Sequence, residues 1–285
     1  MIKIISDYGY CFGVNNAIEI LKRASISHKH VYLTHPLIHN EKANAELMKE
    51  TNSEMLPASF PEGSAVVFSA HGHTLEEEEQ YKRRAELIDA TCPLIKKNYE
   101  IIKTHDNSEK TLLFLGKPHH QETLGFLSHF PQLILLDATA DLAQQISSLK
   151  LLPKTFLIPQ TTISEDKLKE AVGLLKDKTE LSYLNICSLY QRRYQQCIEF
   201  LKSTDISKSF LIVVGDTSSS NTQEIYKAIK KAYPHLLMKI GQTLDDLDLK
   251  ELKDKDIYLT SATSASKKTV EKLKEDLTSY FEYSA

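Results

Sequence analysis

Three of the four cysteines, Cys11, Cys92 and Cys187, share one local setting in this sequence of 285 residues. Each follows a short apolar segment of strand character and directly precedes a segment whose apolar residues have helical spacing. The sulfur atoms should therefore lie at helix N-termini, where the helix dipole and the unpaired amides favour a thiolate. Their positions divide the chain roughly into thirds. Three equivalent thiolates that converge would suit an iron–sulfur cluster with one open iron or, alternatively, a three-cysteine zinc site.

Polar residues follow the other predicted strands, at the ends where ligands collect in parallel sheets. This set comprises His39, His71, His120, Glu122, Thr161, Ser219, Ser220, Asn221 and Ser264. Neutral donors of this kind, together with several helix N-termini, can hold an anion such as a diphosphate without a basic cluster. Glu122 is the principal carboxylate of the set, and an isolated acid beside a metal and an anion is a natural proton donor.

Each of these residues also has an ordinary structural explanation. Ser219, Ser264 and Thr161 could cap helices, and a single histidine or cysteine is often only a packed or hydrogen-bonded side chain. The fourth cysteine, Cys197, lies on an apolar helical stripe, so we expect it in the core. The functional interpretation depends on the recurrence of the pattern, because no single position decides it.

Short apolar strands alternate with amphipathic helices along the whole chain, which predicts parallel βαβ construction. One helix is predicted over "LEEEEQYKRRAELI", with Thr74 and Glu77 forming a capping box at its start. The recurrence predicts three small parallel α/β domains in a pseudo-threefold (trefoil) arrangement around a central iron–sulfur cluster. The predicted domains are residues 12–91, 92–186 and 187–285, and the N-terminal strand within residues 1–11 is expected to complete the third.

The composition argues against several classes of protein. A formal net charge of −3 does not suit a nucleic-acid binder that depends on positive potential. No apolar run approaches the length of a membrane span, and the N-terminal residues lack the layout of a signal peptide. Four separated cysteines without a CxxC pair argue against a disulfide framework. We therefore expect a cytoplasmic protein without nucleic-acid or membrane partners.

Ordered segments along almost the full length resemble those of the 4-hydroxy-3-methylbut-2-enyl diphosphate reductase family, which catalyses the last step of the methylerythritol phosphate route to isoprenoids. The segments are "GYCFGVNNAI", "PLIHN", "FSAHG", "DATCPL", "GKPHHQETLG", "QTTIS", "NICSLYQRR", "VVGDTSSSNT" and "TSATSAS". A series of matches in the same order is far more specific than any single motif.

The resemblance implies a four-iron–four-sulfur (4Fe–4S) cluster on Cys11, Cys92 and Cys187, with the open iron taking the substrate hydroxyl. It also implies that Glu122 delivers protons and that Thr161 lies in the relay, in contact with the substrate. The diphosphate of this small allylic substrate would be held by His39, His71, His120, Ser219, Ser220, Asn221 and Ser264. Two electrons from a ferredoxin- or flavodoxin-type donor would remove the hydroxyl as water and give isopentenyl and dimethylallyl diphosphates.

The sequence departs from the family pattern beside Glu122 and beside Ser264. Gln121 replaces proline next to Glu122, and residues 262–263 are Ala-Thr where the family has Gly-Ala before Ser264. These changes motivate one alternative, a non-catalytic iron–sulfur or redox-sensing paralogue that retains the cluster. A weaker alternative is a zinc hydrolase that uses three histidines, namely His39, His71 and His120.

Overall fold

A computed structural model describes residues 1–38, 40–105 and 108–283 of the chain. The strands within these residues are β1 Ile2–Ile4, β2 Val31–Leu33, β3 Glu54–Met55, β4 Ser64–Phe68, β5 Ala85–Asp89, β6 Lys110–Gly116, β7 Ile134–Asp137, β8 Lys154–Pro159, β9 Glu180–Tyr183, β10 Ser209–Val214, β11 Leu237–Gly241 and β12 Asp256–Ser261. The helices are α1 Phe12–Ser27, α2 Glu41–Glu50, α3 Leu75–Tyr81, α4 Pro93–Lys103, α5 Gln121–His129, α6 Leu142–Ser148, α7 Glu165–Leu175, α8 Ser188–Lys202, α9 Ser220–Ala232, α10 Leu249–Leu252 and α11 Lys267–Tyr283. None of the helices in these described ranges is long and apolar enough to cross a membrane.

The strands of the described residues form three four-stranded sheets with equivalent strand orders. The orders are β1-β12-β10-β11, β5-β4-β2-β3 and β9-β8-β6-β7. Every pairing in these sheets is parallel, as expected when helices make the crossover connections between strands. The predicted parallel α/β class is therefore confirmed.

The strand β1 lies at the edge of the sheet that is otherwise built from residues after Cys187. Ile2 pairs with Ile257 and Ile4 with Leu259, and the Ile5 N–H donates to the Leu259 carbonyl at 3.0 Å. This edge position corresponds to that of β5 and of β9 in the other two sheets. In each sheet, the strand at this edge is thus the one that leads to a corner cysteine.

The described chain forms two compact units. The first unit contains Met1–Val14, Ile38–Glu46 and Ser188–Ala285, and the second contains Asn15–Leu37 and Leu47–Cys187. The sheet that includes β1 belongs to the first unit, and the other two sheets belong to the second. The predicted boundaries of three domains, and their arrangement about one axis, stay predictions.

Helix faces with a spacing of three and four residues supply the cores of both units. In the first unit, Val270, Leu273 and Leu277 of α11 pack in one buried cluster with residues of β10 and β12. In the second, Phe126 of α5 packs with Phe114 of β6. Full burial of each such side chain contributes on the order of 2 kcal/mol to folding.

Cys197 lies in the core, as predicted. Its side chain is buried on α8, and its Sγ donates to Thr260 Oγ1 at 3.1 Å. This residue therefore differs from the three corner cysteines, since it lies within a helix and not at the end of a strand.

The helix predicted over residues 75–88 is shorter in the structure. α3 begins with the predicted capping box of Thr74 and Glu77, which is confirmed, but it ends at Tyr81. Ala85–Asp89 form β5 and pair with β4 along five residues. The prediction was wrong after Tyr81 because pairing with the buried β4 outweighs the local helical pattern.

We expect Phe126→Ala to lower the free energy of unfolding by about 3–5 kcal/mol, because it leaves a cavity between α5 and its sheet. Leu124→Ala on the same helix is the matched control, since Leu124 is partly exposed; we expect a loss of about 1 kcal/mol or less. Urea denaturation followed by circular dichroism measures both. Equal losses in the two variants would contradict the described packing of α5.

Candidate functional site

The three corner cysteines share one backbone setting. Each precedes a helix directly, with Cys11 before α1, Cys92 before α4 and Cys187 before α8. The N–H of each donates to a carbonyl two residues beyond the neighbouring strand: Cys11 to Thr263 (3.2 Å), Cys92 to Ala70 (2.9 Å) and Cys187 to Thr161 (3.3 Å). Each side chain is a partly buried thiol. The recurrence seen in the sequence thus corresponds to a recurrence in hydrogen bonding.

The chemistry of these thiols suits an iron–sulfur cluster. The Val14 N–H donates to Cys11 Sγ at 3.3 Å, and Pro93 occupies the first turn of α4 directly after Cys92. Amides at a helix N-terminus stabilise a negatively charged sulfur, which is the form that binds iron. Each corner cysteine, taken by itself, therefore has a setting that suits a ligand to iron.

The described residues contain no preassembled group of metal ligands. Within residues 1–38, 40–105 and 108–283, no three histidine, cysteine, aspartate or glutamate side chains are grouped so that they could hold one metal ion, and this applies to the corner cysteines as well as to the histidines. His39 lies outside the described residues. The zinc-hydrolase alternative therefore has only two of its three histidines, His71 and His120, in the part of the chain that the structure describes.

Glu122 is a buried acid in the first turn of α5, with 1% of its surface exposed. Thr161 holds both of its carboxyl oxygens: the backbone N–H donates to Oε1 at 2.8 Å and the hydroxyl donates to Oε2 at 2.7 Å. Burial raises the pKa of Glu122 to about 7, although both hydrogen bonds from Thr161 act in the opposite direction. This shift favours the protonated carboxyl, which is the form that can donate a proton as a general acid.

Thr161 connects this acid to a corner cysteine. Its carbonyl accepts the Cys187 N–H at 3.3 Å, while its own N–H and hydroxyl bind Glu122. One residue therefore fixes the position of the carboxyl relative to the Cys187 backbone. These contacts support the relay role that the sequence resemblance implies for Thr161.

Two histidines of the second unit lie beside the buried acid. His120 caps α5, and its Nδ1 accepts the Glu122 N–H at 3.2 Å. The ring of His71 lies edge to face with that of His120, with 5.7 Å between the ring centroids. The structure thus brings together His71, His120, Glu122 and Thr161.

The first unit brings together a second group of polar side chains. Ser219 caps α9, and its Oγ lies 3.0 Å from Ser264 Oγ. Asn221 Oδ1 accepts the Thr263 N–H at 2.8 Å. The NH₂ group of the same amide is a hydrogen-bond donor. Ser220 is the first residue of α9. Two hydroxyls, an amide and a helix N-terminus form a donor set that suits a phosphate.

The departures from the family pattern, at Gln121 and at residues 262–263, leave Glu122 and Ser264 in the positions described above. Gln121 Nε2 donates to Glu77 Oε2 at 3.2 Å, so its side chain is directed to Glu77 and not to Glu122. Before Ser264, Ala262 is fully buried and its carbonyl accepts a hydrogen bond from Arg193 at 3.0 Å. The substituted segments are therefore held by hydrogen bonds of their own.

Sequence reasoning missed two buried polar residues. Gln160 accepts the Lys117 N–H at 2.9 Å and donates to Thr162 at 2.8 Å, and so joins the ends of β6 and β8. Arg193 donates to backbone carbonyls on the segments that carry Cys11 and Ser264. Both lie within resembled segments, "QTTIS" and "NICSLYQRR". Membership of those segments is the only signal that could have marked them.

Comparison with known proteins places the chain in a family. The profile described as LytB protein matches residues 2–278. The chain belongs to the LytB family. The resemblance stated from the sequence is thus confirmed at the level of the family.

Individual LytB relatives match over nearly the whole chain. The 4-hydroxy-3-methylbut-2-enyl diphosphate reductase of Dictyoglomus thermophilum is 27% identical over 98% of this chain and 96% of its own. Reductase 1 of Rhodopseudomonas palustris is 31% identical over 94% of this chain and 88% of its own. The solved structure of the E-1-hydroxy-2-methyl-but-2-enyl-4-diphosphate reductase from Plasmodium falciparum has a TM-score of 0.83 at 25% identity, over 95% of this chain and 86% of that one. This LytB chain therefore shares the fold of a reductase of this type.

We expect Thr161→Val to raise the pKa of Glu122 further above its ordinary value, because the variant loses the hydroxyl bond to Oε2 and retains the N–H bond to Oε1. Thr161→Ser keeps a hydroxyl and should leave that pKa near 7. Infrared difference spectra recorded against pH, with Glu122→Gln to assign the band, measure the pKa. An unchanged pKa in Thr161→Val would contradict the role of Thr161 in stabilising the carboxylate.

Proposed function

We propose that this LytB-family chain reduces (E)-4-hydroxy-3-methylbut-2-enyl diphosphate to isopentenyl and dimethylallyl diphosphates. The reaction consumes two electrons and two protons and releases the hydroxyl as water. The observation that carries the proposal is the contact of Thr161 with Glu122 and with Cys187. This contact holds a buried carboxyl with a pKa of about 7 next to the backbone of a cysteine that suits iron.

We infer that Cys11, Cys92 and Cys187 hold a 4Fe–4S cluster with one iron that has no protein ligand. When bound, the cluster would supply the electrons and a Lewis acid for the substrate hydroxyl. The contribution of the chain is to place each of the three sulfurs at a helix N-terminus, in the shared backbone setting described above.

The polar groups at the other strand ends are proposed to bind the diphosphate. In the first unit, one hydrogen of the Ser219–Ser264 hydroxyl pair is used between the two residues, so the other can point to an anion. The amide NH₂ of Asn221 and the first amides of α9 add further donors. The complete proposed diphosphate set is His39, His71, His120, Ser219, Ser220, Asn221 and Ser264, and Thr161 is proposed to contact the substrate at its hydroxyl.

Glu122 is proposed to deliver the protons. Its carboxyl can donate only in the protonated form, which dominates below its pKa of about 7. When Glu122 is protonated, its carboxyl can donate to the Thr161 oxygen across the same contact, and the Thr161 hydroxyl can then donate to the oxygen of the substrate hydroxyl. Thr161 therefore has the contacts that a relay between acid and substrate requires.

The proposal also includes the partners that the resemblance implies. Electrons would come from a ferredoxin- or flavodoxin-type protein in the cytoplasm, and no nucleic acid or membrane takes part. A chemical reductant replaces this protein donor in the experiments below.

We expect Cys11→Ser, Cys92→Ser and Cys187→Ser each to lose most of the bound iron and sulfide, because each removes one of three thiolate ligands. Cys197→Ala is the matched control, since Cys197 is buried within α8, and it should retain both. Iron and acid-labile sulfide are measured after anaerobic purification. Zinc without sulfide in the unaltered protein would overturn the cluster assignment.

We expect Glu122→Gln to retain the cluster and to lower the turnover rate by about 10²- to 10⁴-fold, because it removes the proton donor. In the unaltered protein the rate should fall about tenfold per pH unit above pH 7, where Glu122 loses its proton. Glu170→Gln on the exposed side of α7 is the control. Reductant-driven consumption of the allylic diphosphate, followed by NMR of the products, measures the rate.

The same assay decides between the reductase and its non-catalytic alternative. An unaltered protein that binds iron and sulfide but gives neither product would be the redox-sensing paralogue. A Glu122→Gln variant with an unchanged rate would overturn the role of Glu122 alone.

A further inference from the structure

Arg193 is a buried cation in the first unit with an unusual set of partners. It lies on α8 with 2% of its surface exposed. Its Nη1 donates to the carbonyls of Ser261 (3.3 Å) and Ala262 (3.0 Å), and its Nη2 donates to the carbonyl of Gly9 (2.5 Å). A buried charge is ordinarily paired with an opposite charge. Within the described residues, however, Arg193 makes no ion pair with a carboxylate, and its Nε–H is buried without a partner.

The carbonyls that Arg193 binds belong to two functional segments. Gly9 lies two residues before Cys11, and Ala262 lies two residues before Ser264. The two segments also contact each other, because the Cys11 N–H donates to the Thr263 carbonyl at 3.2 Å. The guanidinium therefore lies at the junction of the segment that carries a sulfur and the segment that carries a phosphate-binding hydroxyl.

The backbone conformation of Gly9 allows its carbonyl to accept the hydrogen bond from Arg193. Gly9 has a φ of +91°, a left-handed conformation that favours glycine, and its N–H donates to Ser261 Oγ at 3.3 Å. A Cβ at this position would come within 2.5 Å of Lys267 Cγ. The chain thus turns sharply just before Cys11, and the turn presents the Gly9 carbonyl to Arg193.

The charged form of Arg193 is opposed by burial and favoured by neighbouring acidic groups. Burial lowers the pKa of the guanidinium, and among the neighbouring acidic groups Cys11 is the one that most favours its charged form. Arg192, the preceding residue on α8, differs from Arg193 because it is exposed and pairs with Asp7 at 2.7 Å. Only one of these two adjacent arginines therefore combines burial with a hydrogen bond to the segment that carries Cys11.

We propose that Arg193 is a positioning residue for the cluster: it holds the Cys11 and Ser264 segments in one arrangement and places a positive charge against the backbone that leads to Cys11. The inference rests on the proposed function, because it takes Cys11 as a cluster ligand. Arginine suits both tasks, since its planar fork reaches several carbonyls and its charge is permanent. Lysine would retain the charge but not the fork.

The test compares Arg193→Met, Arg193→Lys and the control Arg192→Met as anaerobically purified holoproteins. Arg193→Met should release iron to a chelator about 10- to 100-fold faster, as expected for loss of a residue that orients a metal ligand. Its cluster should also have a more negative reduction potential and an altered electron paramagnetic resonance spectrum, because the reduced cluster loses a neighbouring positive charge. Arg193→Lys should keep the potential but release iron faster, and Arg192→Met should match the unaltered protein in every measurement.

Several outcomes would overturn the inference. A role in folding alone would lower the melting temperature of both Arg193 variants and leave the potential and the iron release of the folded protein unchanged. Equal effects in Arg192→Met would show that burial and proximity to Cys11 do not matter. If Arg193→Met does not fold, an iron-release rate in Arg193→Lys equal to that of the unaltered protein overturns the contact role.

The proposed function and this inference fail in distinguishable ways. An unaltered protein without iron and sulfide would overturn the cluster assignment and this inference with it. An unaltered protein that binds the cluster and turns over, with Arg193 variants that match it in potential and iron release, would overturn only the role of Arg193.

Discussion

A backbone hydrogen bond that recurs in all three described sheets fixes the position of each corner cysteine. The N–H of the cysteine donates to the carbonyl two residues beyond the adjacent strand, at Thr263, Ala70 or Thr161. Parallel strands end at the same edge of a sheet, so the loops that follow an edge strand and its neighbour start side by side. One bond between the two loops then sets the sulfur at the start of the following helix. The other groups of the candidate site are arranged around these loops, because Thr161 and the Ser264 segment are the partners in that bond.

Glu122 and Arg193 are both buried, and they are accommodated by different physical means. Glu122 can become neutral, and burial shifts its pKa to about 7 despite the two opposing bonds from Thr161. Arg193 keeps its charge at neutral pH, because its intrinsic pKa is far above that range. Its charge is therefore offset by backbone carbonyls, which carry partial negative charge and cannot be protonated or move away. The first arrangement suits a group that exchanges protons, and the second suits a fixed electrostatic element.

Ser219 shows that a structural role and a binding role do not exclude each other. The cap that sequence reasoning offered as an alternative is present, since Ser219 accepts the Thr222 N–H at the start of α9. The same hydroxyl lies against Ser264, at the helix end where an anion is favoured. His120 has a similar double character, because it caps α5 and flanks Glu122. A helix cap at the carboxyl end of a parallel strand is by its position close to any ligand that binds there.

The sequence by itself determined the parallel α/β class, the equivalence of the three cysteine corners and the family, because these follow from local periodicity and from ordered motifs. It also determined the capping box at Thr74, which depends on residues only three positions apart. The sequence misjudged the end of α3, where pairing of β5 with β4 outweighs the local pattern. Only the tertiary structure decided that Thr161 holds both oxygens of Glu122 and that Arg193, not Arg192, is buried beside the Cys11 segment. Burial and partner choice depend on segments tens to hundreds of residues apart, and local sequence patterns do not encode such distances.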